Sequence, residues 1–539
     1  MVQACNNAVW SAFENCLIPP AASTSWYYST LLKKSVGAVC LFPVGVVTGG
    51  LVGIQKVASY AASFVTKQKY IDPKENFQAV LDNSKLWSKI GTDKEIKKEL
   101  VENRSGGAEP KKIGIGTCMF QDSGLYCPDS QWAVNEWQMK CIKDPTNRSG
   151  PNSHLFELYK TPKGRQQVID RLNKLNVNTF RLSIEWSHVQ PKQGEWNEAN
   201  LQVYVDFCRE LRKAGIGIWI TLLHFSEPKW FHDLGSFEKE ANIEYFAGFA
   251  ERVFDRLTED YGGRPLVEYF CTINEPAIDA FSRYVLGSFS PGFFLRFARA
   301  GNFLLNALKT HCIVYDRLKK RNPSVQIGII HQYLEFIPTN FLLIPVVRYF
   351  TRLINETPLK FFETGKFELK VPFLCNIEEQ LPMPWKDFVG LQYYTRAVIG
   401  LAGPTSYHEP MTQMPFREDP EGIYRAITRT YEAFKCPVMV TETGISTHND
   451  EQRNRYWIRV MYAARAAGRV IGMHNFLGVI GWCLGDNLEL NMGVRPQAFG
   501  AYALTDKGLA ENPKPGMESF IKVAAAWKSR SEQQQQKVA

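Results

Sequence analysis

Two glutamates stand in short polar motifs that each follow an apolar, strand-like run. Glu275 lies in Thr272-Ile273-Asn274-Glu275-Pro276, and Glu442 lies in Thr441-Glu442-Thr443-Gly444. Two carboxyls facing each other across one cleft suit double displacement at a glycosidic bond. One attacks the anomeric carbon while the other protonates the leaving oxygen, and this geometry needs the carboxyls about 5–5.5 Å apart. Other polar and aromatic residues close comparable runs. They are Arg181 and Trp186 in NTFRLSIEW, His224 after GIWITLL, Gln392 and Tyr394 in DFVGLQYYT, and Trp482, Asp486, Asn487 and Glu489 in GWCLGDNLEL.

Something must hold these strand ends together. Over residues 112–528, eight strand-type runs alternate with amphipathic helical stretches such as RQQVIDRLNKLN and QRNRYWIRVMYAARAAG. Strand–helix alternation implies an α/β fold with a parallel sheet. Eight such units predict a (β/α)8 TIM barrel with long loops, whose catalytic face is the carboxyl end of the strands. A doubly wound sheet would want a Gly-rich phosphate turn after the first strand, and GIGTCMFQDSG does not supply one. Strand neighbours point to opposite faces, so in the Tyr393-Tyr394 pair Tyr393 is expected in the core and Tyr394 in the mouth.

The 539 residues are 45% apolar and 22% charged, which suits a packed globular chain. The net charge of +9 is mild and its basic residues are scattered, so nucleic acid is not an expected partner. The 12 cysteines include no CxxC pair and no tight Cys/His cluster, which points to free thiols in a reducing compartment and implies no metal. No organic cofactor is implied either. Ahead of the barrel, residues 1–70 contain an uncharged 21-residue stretch, Ser35–Gln55, long enough to cross a hydrocarbon core of about 30 Å. Lys33 and Lys34 stand before it, and Lys56, Lys67 and Lys69 after it. The expectation is a membrane-type N-terminal extension with the barrel on the cytoplasmic side. Residues 71–111 read as a polar linker in which DKEIKKELVEN forms a short solvated helix. Residues 529–539 read as a disordered low-complexity tail.

The stretch from about 112 to 528 resembles glycoside hydrolase family 1, the β-glucosidase-like barrels, through FRLSIEWSHVQP, TLLHFSEP, TINEP, DFVGLQYYT, VTETGIS and GWCLGDNLEL in that order. The resemblance implies a retaining β-glycosidase. Glu275 then corresponds to the acid/base and Glu442 to the nucleophile, with Arg181 and Tyr394 supporting the nucleophile. Asn274 corresponds to the residue on the sugar 2-hydroxyl, Gln121, His224 and Glu489 to the groups on the outer hydroxyls, and Trp482 to the aromatic floor. The recognition shell departs from the family pattern. Phe225 replaces a usual Trp, Glu227 a common Leu, Gln392 an Asn, and Leu490 a sugar-contacting Trp. Two alternatives stand beside hydrolysis: a transglycosylase on the same covalent intermediate, with a sugar or glycolipid acceptor, and a degenerate sugar-binding protein, which the altered shell motivates. Residues 336–367 are rich in apolar and aromatic types, read either as a buried helix pair or as a greasy rim for a lipid-linked or aryl aglycone. Together with the N-terminal segment, this is similar in architecture to the plant galactolipid-remodelling branch of the family. The expected partner is therefore a carbohydrate or glycoside substrate, lipid-linked in the sharper reading.

Overall fold

The computed structural model describes residues 92–103, 107–123, 129–130, 153–339, 341–382, 386–400, 403–404, 412–414, 416–492 and 496–538. Ser35–Gln55 lies outside them. Among the described residues no helix is long and apolar enough to cross a membrane.

Eight parallel strands close a barrel: β1 (Lys112–Gly116), β2 (Thr179–Ser183), β3 (Gly217–Leu223), β4 (Tyr269–Ile273), β5 (Gln326–Gln332), β6 (Phe388–Gln392), β7 (Val438–Glu442) and β8 (Phe476–Trp482). Closure is made by β8 on β1, with Gly116 opposite Trp482. These are the eight apolar runs of the sequence. They are buried on both faces, which is why they read as nearly continuous hydrophobic stretches. Alternation along each strand sorts the side chains. Phe180 and Leu182 of β2 join the outer core under the helices, whereas Arg181 between them faces the barrel axis. Trp219, Cys271, Ile330, Phe388, Met439 and Ile480, one from each of β3 to β8, form a separate buried cluster that fills the barrel below its mouth.

The covering helices are α1 (Asp93–Glu102), α2 (Pro162–Lys174), α3 (Glu198–Lys213), α4 (Ile243–Leu257), α5 (Pro276–Tyr284), α6 (Phe297–Arg321), α7 (Thr357–Thr364), α8 (Gly422–Phe434), α9 (Asp450–Ile471) and α10 (Glu518–Val538). Beyond the mouth, Glu335–Pro338 and Arg396–Gly400 continue the directions of β5 and β6 and pair with each other in parallel. A hairpin, Lys366–Val371 with Cys375–Gln380, lies outside the barrel against α6. Of residues 336–367, Leu359, Phe361 and Phe362 of α7 are buried, as a helical core reading requires, while Phe341 is exposed. The seven cysteines among the described residues form no disulfide.

Two parts differ from the sequence expectation. The stretch predicted as a solvated helix in a polar linker is packed. Thr92 and Glu95 form a reciprocal capping box at the start of α1. Ile96 and Leu100, four apart among charged neighbours, are buried where α1 meets α9 and α10. Arg465 bridges Glu99 and Glu109, so the chain is held to the barrel up to β1. The C-terminal stretch expected as a disordered tail is helical to Val538, and Arg530 donates to the carbonyls of Leu100 and Val101. Low complexity in SEQQQQK concealed a sequence of good helix formers.

A buried ionic cluster ties the loop after β3 to the helix after β4. Arg283 of α5 is fully buried and donates to Glu227 (2.8 Å), to Asp279 (2.6 Å) and to the carbonyl of Phe225 (2.8 Å). Glu227 also accepts from Ser236 and lies 2.9 Å from His232 Nδ1. Burial opposes a charge on Glu227, but Arg283, His232 and Ser236 together hold its carboxyl down to about 2.

Two expectations follow for stability. A chain lacking residues 1–105 should melt below one lacking only 1–90, because Ile96 and Leu100 each contribute about 1.5–3 kcal/mol of burial; equal melting curves for the two truncations would contradict this packing. Arg283→Met should cost about 3–5 kcal/mol, since it strands a buried carboxylate, and adding Glu227→Leu should recover much of that loss. Chemical denaturation of the single and double variants measures both effects.

Candidate active site

Glu442 ends β7 at the mouth and is buried. Arg181 donates to its Oε1 and the Tyr394 hydroxyl donates to its Oε2, so both carboxylate oxygens are held. The fully buried Arg181 is itself fixed on every side. Its Nε donates to Thr221 Oγ1 (2.9 Å), Nη1 to the Thr441 carbonyl (3.3 Å) and Nη2 to Asn274 Oδ1 (2.7 Å). Gln392 Nε2 donates to the same Asn274 oxygen at 2.8 Å. Asn274 therefore has its acceptor filled from two sides, and its buried Nδ2 is left without a partner.

Glu275 follows Asn274 in a left-handed conformation, φ 43°, between the end of β4 and the first turn of α5. The sharp turn brings a side chain from the strand's end into the mouth beside its neighbour. Glu275 is buried, and its Oε1 has no hydrogen-bond partner. Burial drives its pKa well above the ordinary carboxylate range, and the nearby charges of Glu442 and Glu489 drive it further. Burial raises Glu442 too, but the Arg181 charge and the hydrogen bonds from Tyr394 and Arg181 pull it back. A proton available to the pair therefore resides on Glu275 and the negative charge on Glu442.

The other predicted residues complete the same cavity. His224 Nε2 is 3.7 Å from Glu442 Oε1, and its buried Nδ1 has no partner. Burial and the Arg181 charge hold its pKa well below the ordinary value, so the ring is neutral. The His224 and Trp482 rings lie 5.8 Å apart, and Trp482 Nε1 donates to Glu489 Oε1 at 3.1 Å. Burial pushes Glu489 up to about 8, with Gln121 and Trp482 as its hydrogen-bonding neighbours. Gln121 also donates to the Leu488 carbonyl at 2.7 Å. The structure thus brings together Glu275, Glu442, Arg181, Tyr394, Gln121, His224, Asn274, Trp482 and Glu489.

The remaining strand-end residues do other work. Trp186 is fully buried among Trp230, Phe231, Phe246 and Phe249. Asp486 accepts from the Gly500 amide and from Lys514. Tyr393 is fully buried on the outer face, where its hydroxyl donates to Asp419 (2.6 Å). Gly422 must be glycine beside it, because a Cβ there would lie 1.8 Å from the Tyr393 oxygen. Thr221, which the sequence did not single out, and Gln392, named there only as a strand-end residue and a departure from the family's Asn, also belong to the site. Their signal was position, since one faces the same axis as Arg181 and the other directly precedes the tyrosine pair. Around the polar centre stands an apolar wall of Phe225, Phe289, Met414, Leu488, Leu490 and Phe499. Among the described residues no group of three His, Cys, Asp or Glu side chains is placed to hold a metal ion.

A family model for glycosyl hydrolase family 1 matches residues 163–362. The galactolipid galactosyltransferase SFR2 of Arabidopsis thaliana is 27% identical over 380 residues, covering 65% of this chain and 56% of its own length. The β-glucosidase-like SFR2 of Oryza sativa subsp. japonica is 24% identical over 375 residues, covering 65% and 54%. The chain therefore spans about half the length of these curated relatives. Among solved structures, a β-glycosidase from Pyrococcus horikoshii superposes with a TM-score of 0.66 at 25% identity, covering 78% of this chain and 96% of that one. A β-glucosidase from Thermotoga maritima shares the fold with a TM-score of 0.67 at 22% identity, covering 78% and 98%. With the two strand-end carboxyls, the buried arginine and the closed barrel already in place, these matches complete one pattern, and the family that the chain resembles is glycosyl hydrolase family 1.

Proposed function

We propose that this chain is a retaining β-glycosidase working through a covalent glycosyl–enzyme intermediate, with Glu442 as nucleophile and Glu275 as acid/base. One observation carries the reading. Both oxygens of Glu442 are held by Arg181 and Tyr394, whereas Glu275, buried with a free Oε1, is the carboxyl that keeps the proton.

The chemistry follows from that asymmetry. Glu442 attacks the anomeric carbon as Glu275 gives its proton to the departing oxygen. The bond formed to the sugar consumes the Glu442 charge, and the main electrostatic pressure on Glu275 is removed. Its affinity for the proton falls, and it acts as a base toward the incoming water or acceptor hydroxyl. Three buried polar atoms without protein partners, Asn274 Nδ2, His224 Nδ1 and Glu275 Oε1, are the unused hydrogen-bonding capacity a sugar would fill. The neutral His224 offers a sugar hydroxyl a hydrogen bond without adding charge next to Glu442. The apolar wall, with Leu490 where the family carries an indole, suits a nonpolar aglycone. The name of the Arabidopsis relative motivates a galactolipid as the substrate class and a galactolipid acceptor as the alternative to water. The relatives named chloroplastic motivate a plastid location in place of the cytoplasmic one. Product analysis with labelled galactolipid separates hydrolysis from transfer, because only transfer yields a larger glycolipid.

Two variants test the roles. Glu442→Ala should abolish turnover of an aryl β-glycoside. Glu275→Ala should slow poor leaving groups by several orders of magnitude yet stay measurable on good ones, and azide should rescue it as glycosyl azide. A near-normal rate for either variant on a poor leaving group would overturn the assignment. Tyr394→Phe removes a donor that lowers the Glu442 pKa, so that pKa should rise. Because Glu442 must be ionised, the acidic limb of kcat/KM should move to higher pH, while an unmoved limb would show that Tyr394 does not act on the nucleophile.

A further inference from the structure

Large apolar side chains exposed among the described residues are unevenly distributed along the barrel axis. Phe373 is 93% exposed and Phe341 72%, and both lie at the mouth end. For Phe373 the hairpin settles this. α6 starts at the mouth and ends at the opposite pole, where Lys319 meets Asp387 just before β6. Cys375 and Leu369 sit against Gly301 near the start of α6, and Glu379 pairs with Lys309 farther along, at 2.7 Å. The turn carrying Phe373 therefore points toward the mouth. For Phe341 the strands settle it. Glu335–Pro338 and its partner strand run parallel past the ends of β5 and β6, Thr339 N donates to the Ile399 carbonyl, and Phe341 comes two residues later. Phe294, between α5 and α6, and Tyr245, in the first turn of α4, are partly exposed at the same end. At the opposite pole, in the last turn of α9, Val470 is the one such side chain.

The first described helix also starts toward the mouth end. Lys97 of α1 pairs with Glu518, the first residue of α10, while Arg530 far along α10 reaches Leu100 and Val101. α1 therefore runs alongside α10 in the same direction, with Thr92 near the mouth.

We propose that the mouth face of this barrel seats on a lipid bilayer, with Phe341 and Phe373 entering the headgroup layer. A substrate whose sugar projects from that bilayer would then meet Glu275 and Glu442 without leaving the membrane. Aromatic side chains are suited to this depth, since the interface accommodates an apolar body beside polar headgroups. The surface deepens the glycolipid reading, on which only its choice of substrate rests.

Hydrogen exchange of the full-length chain, with and without vesicles of phosphatidylcholine and galactolipid, tests this surface. Amides at 341–343 and 372–375 should exchange at least threefold more slowly with vesicles, and those at 468–471 should not change. The full-length Phe341→Ser/Phe373→Ser variant should lose the slowing and keep its rate on a soluble aryl glycoside. The proposal is overturned if the chain sediments with vesicles while both turns exchange as before, if the double variant keeps the slowing, or if vesicles are not bound. Slowed exchange in a chain inactive on every glycoside would instead refute the glycosidase reading and leave the surface standing.

Discussion

One guanidinium organises the mouth of this barrel. Arg181 starts on β2 and reaches Thr221 on β3, Asn274 after β4, and both the Thr441 carbonyl and Glu442 on β7. A cation buried at such depth survives only where its donors are satisfied and a counter-charge is close. The requirement works in both directions. Glu442 must be ionised to hold Arg181 in place, and Arg181 must be present for Glu442 to stay ionised where water is excluded. Strands distant in sequence are thereby fixed relative to one another by a group that also sets the charge of the Glu442 carboxylate. The stability of the mouth and the ionisation of Glu442 share one interaction.

The second carboxyl is defined by contrast. Glu275 and Glu442 are both buried, at the ends of strands that are not neighbours in the barrel, yet one has two tight donors and the other has an oxygen with none. In a cavity of low polarity that difference is enough to separate their protonation states. Behind Glu275, the Arg283 cluster keeps the first turn of α5 against the loop of Phe225, so the Glu275 backbone stands on ionic contacts that solvent cannot screen.

The barrel and most of its polar centre were legible because both depend on short-range pattern. Apolar runs of strand length announce buried parallel strands, and residues such as Glu275, Glu442 and His224 fall at their carboxyl ends. What escaped depends on contacts between distant segments. Ile96 and Leu100 look like an isolated apolar pair in a charged stretch until α9 and α10 give them a partner. Glu227 registered only as a departure from the family pattern, and its reason, Arg283, lies 56 residues later. A faint local signal did exist in the i,i+4 spacing of Asp279 and Arg283, though such pairs are usually surface decoration. Polarity by itself does not tell a solvated charge from a buried one whose partner is far along the chain.

The adjacent tyrosines that follow β6 look in opposite directions. Tyr394 holds the Glu442 carboxylate, and Tyr393 is locked outside to Asp419 over a glycine that leaves no room for a methyl group. A change at Gly422, at the start of α8 in the outer shell, would push Tyr393 aside and tilt the backbone that also carries Tyr394. Drift in the helical layer is therefore not neutral for the chemistry here. Gly422, which contributes no side chain to the mouth, is thereby tied to the tyrosine pair whose second member holds Glu442.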